Sequence, residues 1–197
     1  MVSISDPGGN RSPYDYRLID RLTERPEEAF DGEVFRVTRL NADPLAYSTS
    51  GGRWAPPSTS DTVVQILYTS FEQDGAIAEV ASYLAEQTPP PSKSIVVHRI
   101  AVTTRKTLRL ARADLIALGI DMDRYGERPY RVPPTRTQEI GATLNFLGFN
   151  GLIAPSARWP CDNLMVFGDN DSLNDRLEVV ESAQVDWQAW AAQHGFL

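Results

Sequence analysis

The sequence predicts an α+β fold: a single domain with a mixed β-sheet core and flanking helices. Three observations carry that expectation. At 197 residues the chain fits one domain, long enough to bury its own core without disulfides or structural metal. Segments of period two and segments of period three to four follow one another irregularly, with no internal repeat, which argues against a repeating βαβ sheet. The longest apolar runs span only a few residues, far short of the ~20 that cross a bilayer, so no membrane partner is expected.

The elements follow in order. Apolar side chains at Tyr14, Leu18, Ile19 and Leu22 set a helical spacing over residues 15–22, and the charged, proline-containing stretch 23–32 reads as a loop. Residues 33–38 alternate as a strand carrying Arg36. Residues 41–60 are rich in turn formers and include Gly51-Gly52-Arg53-Trp54-Ala55-Pro56-Pro57; a structured loop of that length is usually functional. Residues 63–68 form a buried β-type run ending at Tyr68. From Asp74, Ile77, Val80, Ala81 and Leu84 recur at helical intervals, and this helix carries Glu79.

The Pro89-Pro90-Pro91-Ser92 stretch is too short for an interdomain linker. Residues 94–102 and 107–110 read as two strands, and 112–118 as a helix closed by Gly119. A polar loop with Tyr125 and Tyr130 fills 121–134. Thr135 or Thr137 caps a helix through Leu147 that Gly148 ends. Two strands, 151–154 and 163–167, flank Pro155-Ser156, and a last helix over 187–193 forms a peripheral brace. The expected organisation is a tail and short helix over 1–32, a core over 33–168, and a helical extension over 169–197 packed on the same domain.

Composition excludes several function classes. A net charge of −7 without any Lys/Arg run argues against direct nucleic-acid binding, which needs a basic stripe to neutralise phosphates. Seventeen of the nineteen basic residues are arginine; base composition of the genome accounts for most of that bias, while a few forks remain for bidentate anion contacts. The lone Cys161 suits a reducing cytoplasm. Residues 1–13 lack the basic start and apolar centre of a secretory signal, so Asn10-Arg11-Ser12 is not a glycosylation site and a cytoplasmic location is expected.

The chain contains no G-x-G-x-x-G, no G-x-x-x-x-G-K-[ST] and no G-x-S-x-G, which removes the common phosphate loops and the nucleophile elbow. Cys161, His98 and His194 are too scattered for a zinc site. Residues 169–174 imitate the start of a calcium loop, but Leu173 occupies a ligand position and the glycine is missing; a solvated turn is the reading there, and no metal is expected. His98 lies in an alternating strand and reads as structural. With no second histidine near Ser156, a Ser-His-Asp relay has no base.

What remains is a set of polar residues at the edges of apolar segments: Arg36, Arg53, Tyr68, Glu79 and Ser156. Taken singly, Arg36 reads as a salt-bridge partner, Gly51-Gly52 as a flexible turn, Tyr68 as a core aromatic, Glu79 as an exposed helix glutamate and Ser156 as a turn serine. Their order and local words, from Val34-Phe35-Arg36-Val37 through Gly51-Gly52-Arg53-Trp54 and Ala76-Ile77-Ala78-Glu79 to Ala154-Pro155-Ser156, resemble the RES domain. This family of bacterial toxins is named for an Arg, a Glu and a Ser and is built on an ADP-ribosyltransferase-like fold. The resemblance covers roughly residues 33–168. It departs at Ala55, where many members carry asparagine.

The resemblance implies attack on NAD at the nicotinamide–ribose bond, with water or inorganic phosphate as acceptor; NAD is then the substrate, and no cofactor is implied. It implies catalytic roles for Glu79, Arg36 and Tyr68 and substrate-binding roles for Arg53, Gly52 and Ser156. It also implies a helix-turn-helix antitoxin of the Xre type that blocks the NAD entrance in a hetero-oligomer, and leaves a homodimer open. Two alternatives stand beside it: a mono-ADP-ribosyltransferase acting on a protein, and a catalytically inactive partner-binding domain.

The chemistry suits this set. Nicotinamide departs as a neutral group from a cationic nitrogen and needs no general acid, unlike an O-glycoside with its two carboxylates. One carboxylate can stabilise the oxocarbenium-like transition state. Two guanidinium forks can hold the pyrophosphate, remote from the breaking bond. Tyr68 is suited to stack on nicotinamide, and Ser156 to hydrogen-bond its amide or the ribose.

Overall fold

The computed structural model describes residues 15–59, 63–128, 134–171 and 175–197. The chain runs through α1 (Tyr16–Thr23), β1 (Glu27–Arg39), β2 (Ile66–Ser70), α2 (Gln73–Ala85), β3 (Ile95–Arg109), α3 (Arg112–Ala117), α4 (Arg136–Phe146), β4 (Gly151–Pro155), β5 (Asp162–Phe167), β6 (Leu177–Val185) and α5 (Trp187–Gln193). Residues 1–13, Tyr14, Tyr130 and the 172–174 part of the calcium-like stretch lie outside the described residues.

The strands order as β1-β2-β5-β4-β3-β6, and β1 also pairs with β3. Only β3 and β4 run parallel, so the sheet is mixed, as the sequence predicts. The additional pairing bends the first five strands into a ring. Alternate residues from all five, among them Val34, Leu67, Ile100, Ile153 and Leu164, fill its inside at 0 % exposure. On the outer face Leu18, Leu115, Ile140 and Leu144 of α1, α3 and α4 cover Ile66, Leu152 and Phe167. The remaining helices, α2 and α5, meet through Ile77, Ala81, Trp187 and Ala191.

The closure is uneven. Between β1 and β3 the register runs from Glu27↔Leu108 to Arg39↔Ile95, whereas β1 and β2 share a single pair, Phe35↔Ser70. The two strands therefore splay, and α2 packs across the opening. That opening is where the polar residues collect.

Three expectations need correction. The loop expected over 23–32 is a strand from Glu27, because Glu28 pairs with Thr107 and its carboxylate meets Arg109 at 2.9 Å; long-range pairing overrides charged composition. The boundary placed at residue 33 therefore falls inside β1. The two strands expected over 94–110 are one, since β1 pairs along both parts. The extension over 169–197 is not purely helical, because it contributes β6, which pairs with β3 from Val102↔Leu177 to Ile95↔Val185. Most of β6 is exposed, so it leaves no buried alternation to read. By contrast Gly119 and Gly148 take φ of +90° and +76° just beyond α3 and α4, as predicted.

One glycine fixes how closely α4 approaches the 51–57 loop. A Cβ on Gly141 would lie 1.7 Å from the Trp54 carbonyl oxygen. An alanine in a helix ordinarily stabilises relative to glycine; at this position it must push helix and loop apart. We expect Gly141→Ala to destabilise the protein by about 1–3 kcal/mol, read as a lower midpoint in thermal melting. An unchanged or raised midpoint would refute the close approach.

Candidate active site

The splay between β1 and β2 forms a cavity of about 300 Å³ whose wall includes Arg36, Gly52, Arg53, Tyr68, Glu79 and Asn163. Five of the six sequence-predicted site residues border it. The sixth, Ser156, stands behind Glu79, and its hydroxyl donates to Glu79 Oε1 at 2.9 Å. The same Ser156 oxygen accepts from the backbone N–H groups of Arg158 and Trp159, at 3.1 and 3.3 Å, a hydroxyl-capped turn following proline. The serine proton is thereby directed at the glutamate, not at the open cavity.

Glu79 is half-buried on α2. Its Oε1 receives a second bond from Asn163 Nδ2 at 3.1 Å. Asn163 escapes sequence reasoning because a single polar residue opening the run Leu164-Met165-Val166-Phe167 reads as a strand end. The available signal is its face: in a strand it shares a side with Met165 and Phe167, so its amide must find a partner.

The loop presenting Gly52 and Arg53 is held from three directions. Gly52 N–H donates to Ala55 O at 2.8 Å. Tyr68 Oη accepts from Trp54 N–H at 3.1 Å. From α4 the fully buried Gln138 donates through Nε2 to Gly52 O and Ala55 O, at 2.9 and 3.3 Å, while its Oε1 accepts from Thr135 N–H at 2.9 Å. Gly52 must be small, because a Cβ there would come within 2.6 Å of Tyr68 Oη. Ala55, the departure from the family pattern, is completely buried and takes part through its carbonyl. Gln138 and Gly141 escape the sequence because their partners lie more than 80 residues away.

Both arginines are fixed by backbone oxygens. Arg36 Nη1 donates to Pro44 O at 2.8 Å and Ala46 O at 2.9 Å. Burial pulls its pKa below the usual arginine value, opposed by the charge of Asp43; a guanidinium stays protonated regardless. Arg53 donates to Tyr125 O and lies over the Tyr125 ring, 4.8 Å from its centroid. Among the described residues neither forms a salt bridge, whereas Arg99, Arg109 and Arg136 each meet two carboxylates. Two cations with no salt bridge among the described residues, beside one carboxylate, make a wall able to take an anionic ligand.

The surroundings are structural. His98 is buried opposite Arg36 in the β1–β3 register, with Nε2 bonded to Thr38 Oγ1 at 2.9 Å and Nδ1 to Ser182 Oγ at 2.7 Å. Burial and the Arg36 charge push its pKa down. Both nitrogens are engaged, in keeping with a structural histidine. Trp159, beyond Ser156, packs its ring 5.6 Å from Trp190 of α5 and 5.5 Å from His194, so the last helix braces the turn that holds the serine. Among the described residues no group of three His, Cys, Asp or Glu could hold a metal, and no helix is long and apolar enough to cross a membrane.

A mixed ring of strands opened at one seam, with a carboxylate on the covering helix and guanidinium groups on the rim, defines the class: an α+β domain with a cleft lined by charged and apolar side chains. The RES domain model matches residues 33–188, and the chain belongs to that family. The match runs past residue 168 and takes in β6. A chain of the M. tuberculosis MbcT-MbcA toxin-antitoxin complex shares the fold, with a TM-score of 0.74, 19% identity, and coverage of 92% of this chain and 98% of that one. None of the curated proteins matches.

Arg53 uses one nitrogen on Tyr125 O, and among the described residues the rest of its fork makes no hydrogen bond. A lysine has no fork to divide in this way. We expect Arg53→Lys to melt like the parent but to bind a pyrophosphate ligand, ADP-ribose, at least about tenfold more weakly by calorimetry, a loss of about 1.4 kcal/mol. Unchanged affinity would remove Arg53 from the anion site.

Proposed function

We propose that the protein is a cytoplasmic toxin that degrades NAD, cleaving the nicotinamide–ribose bond with water or inorganic phosphate as acceptor and arresting growth as the cofactor is depleted. The observation that carries this reading is the setting of Glu79. Its Oε1 is held by Ser156 and Asn163, in a cavity it shares with Arg36 and Arg53, and among the described residues no bond to Oε2 is formed.

On this reading the two arginines hold the pyrophosphate, and binding energy gained there fixes the nicotinamide riboside against Glu79. Tyr68, pinned through its hydroxyl to Trp54 N–H, offers its ring to the nicotinamide. As the C–N bond breaks, its electron pair returns to the ring nitrogen and positive charge spreads over the ribose C1 and ring oxygen. The free oxygen of Glu79 faces that charge. Water or phosphate then attacks C1; water gives ADP-ribose, phosphate gives ADP-ribose 1″-phosphate. Purified protein assayed with and without phosphate separates these outcomes, and label transferred from NAD to protein would identify a protein acceptor instead.

Glu79→Gln tests the site. A glutamine keeps an acceptor oxygen for Ser156 and Asn163 while removing the charge. We expect a melting point near the parent's, retained NAD binding, nicotinamide release lower by about 10²–10³, and loss of growth arrest. A folded variant with parental turnover would end this assignment.

The fold shared with a chain of a toxin-antitoxin complex supports a partner as well, and we assign that role to an Xre-type helix-turn-helix protein that blocks the cavity. Such a protein would supply the DNA-binding surface that this acidic chain lacks. Co-expression with an adjacent helix-turn-helix gene should give a stable complex with suppressed NAD consumption; a complex that keeps full activity would exclude occlusion.

A further inference from the structure

Asn163 has no place in the reaction scheme so far, yet it touches the one carboxylate that scheme requires. It sits in the middle of the sheet, paired by backbone with Ser70 of β2 on one side and Ala154 of β4 on the other, so its position is fixed independently of α2. Its amide orientation is also fixed. Turning the group over would set two acceptor oxygens, Asn163 Oδ1 and Glu79 Oε1, against each other.

The other half of the amide is informative. Asn163 Oδ1 is buried and among the described residues has no hydrogen-bond partner, which carries a desolvation cost with no return. A residue kept for stability alone would be better replaced by an apolar one, in line with Met165 and Phe167 on the same face. The Nδ2 bond to Glu79 is what the asparagine provides.

That bond and the Ser156 bond end on the same oxygen, Oε1, at 3.1 and 2.9 Å. The donors come from different places, Asn163 from β5 and Ser156 from the turn after β4. A glutamate's terminal torsion is broad when unrestrained, and one donor would leave the carboxylate free to pivot. Two converging donors stop the pivot. We propose that Asn163 is a positioning residue for Glu79, which with Ser156 clamps Oε1 and presents Oε2 to the ribose. This rests on the NAD-cleaving reading above. It also recasts Ser156, which the sequence placed on the substrate, as the second half of the clamp.

The other groups around Glu79 do not duplicate the clamp. The charged ones sharing the cavity are Arg36 on β1 and Arg53 on the loop; from β2 come Tyr68 and Ser70. Among the described residues their hydrogen bonds include those to Pro44 and Ala46, to Tyr125, to Trp54, and to Cys161 and Glu72 N–H respectively.

The test uses the full chain with Asn163→Ala and the near-isosteric Asn163→Asp, with kcat and KM for NAD measured from pH 5 to 9. For Asn163→Ala we expect parental folding, kcat lower by about tenfold and KM within twofold, because positioning of a charge acts in the transition state. For Asn163→Asp we expect the acid limb of kcat to move to higher pH, since a carboxylate beside a carboxylate favours protonation. Parental kcat in folded Asn163→Ala overturns the proposal. So does a pH profile in Asn163→Asp that falls evenly with the folded fraction, which marks a structural residue. If Asn163→Asp does not fold, the alanine variant decides. A separate readout is the side-chain amide resonance of Asn163, which should shift on Glu79→Gln as its acceptor loses charge. A parent that leaves NAD intact defeats the functional reading alone, whereas an unmoved resonance removes the contact on which this inference stands.

Discussion

The pairing of β1 with β3 is the constraint on which the remaining structure depends. It joins strands that are more than 50 residues apart in the chain, and closing so long a segment is entropically unfavourable until many bonds form together. Once formed, it bends the sheet into a ring and gives five strands one shared apolar interior. It also places Arg36 opposite His98, a buried neighbour whose nitrogens are already committed to Thr38 and Ser182. On its other edge β1 meets β2 through the single pair Phe35↔Ser70. The weak seam on that side is the site of the cleft.

Within that cleft the polar groups are held by neutral partners. Backbone carbonyls fix the two arginines, and a hydroxyl and an amide fix the glutamate. Pairing the arginines with the glutamate directly would satisfy all three and leave nothing for a ligand. Neutral donors and acceptors orient a charge without cancelling it, which is how a preorganised site differs from a salt bridge. The cost of keeping these charges unpaired is met by the surrounding core.

Much of this was open to the sequence where a residue's role is local. The helix α5 is legible over its full length, and α2, α4, β4 and β5 nearly so, because apolar periodicity, caps and terminal glycines act within a few residues. Arg36, Arg53, Tyr68 and Glu79 stand out because each sits where an apolar segment ends or is interrupted. The remainder depends on contacts distant in sequence. Glu28 looks like a loop residue until Arg109 faces it, and β6 is an exposed strand whose backbone pairs with β3. Gln138, Gly141 and Asn163 look like ordinary helix and strand residues until Gly52, Trp54 and Glu79 are brought to them.

The unpaired arginines have a consequence for encounter kinetics. The chain carries a net charge of −7, so on the proposed reading an anionic ligand meets net repulsion at a distance and local attraction where Arg36 and Arg53 border the cleft. The two fields differ in range. Added salt screens the distant one over a Debye length of about 8–10 Å near physiological strength, while a fork in contact with its ligand is screened much less. Moderate ionic strength should therefore widen the capture zone of the cleft before it weakens the grip, and capture would quicken with salt, the reverse of a protein whose whole surface attracts its ligand.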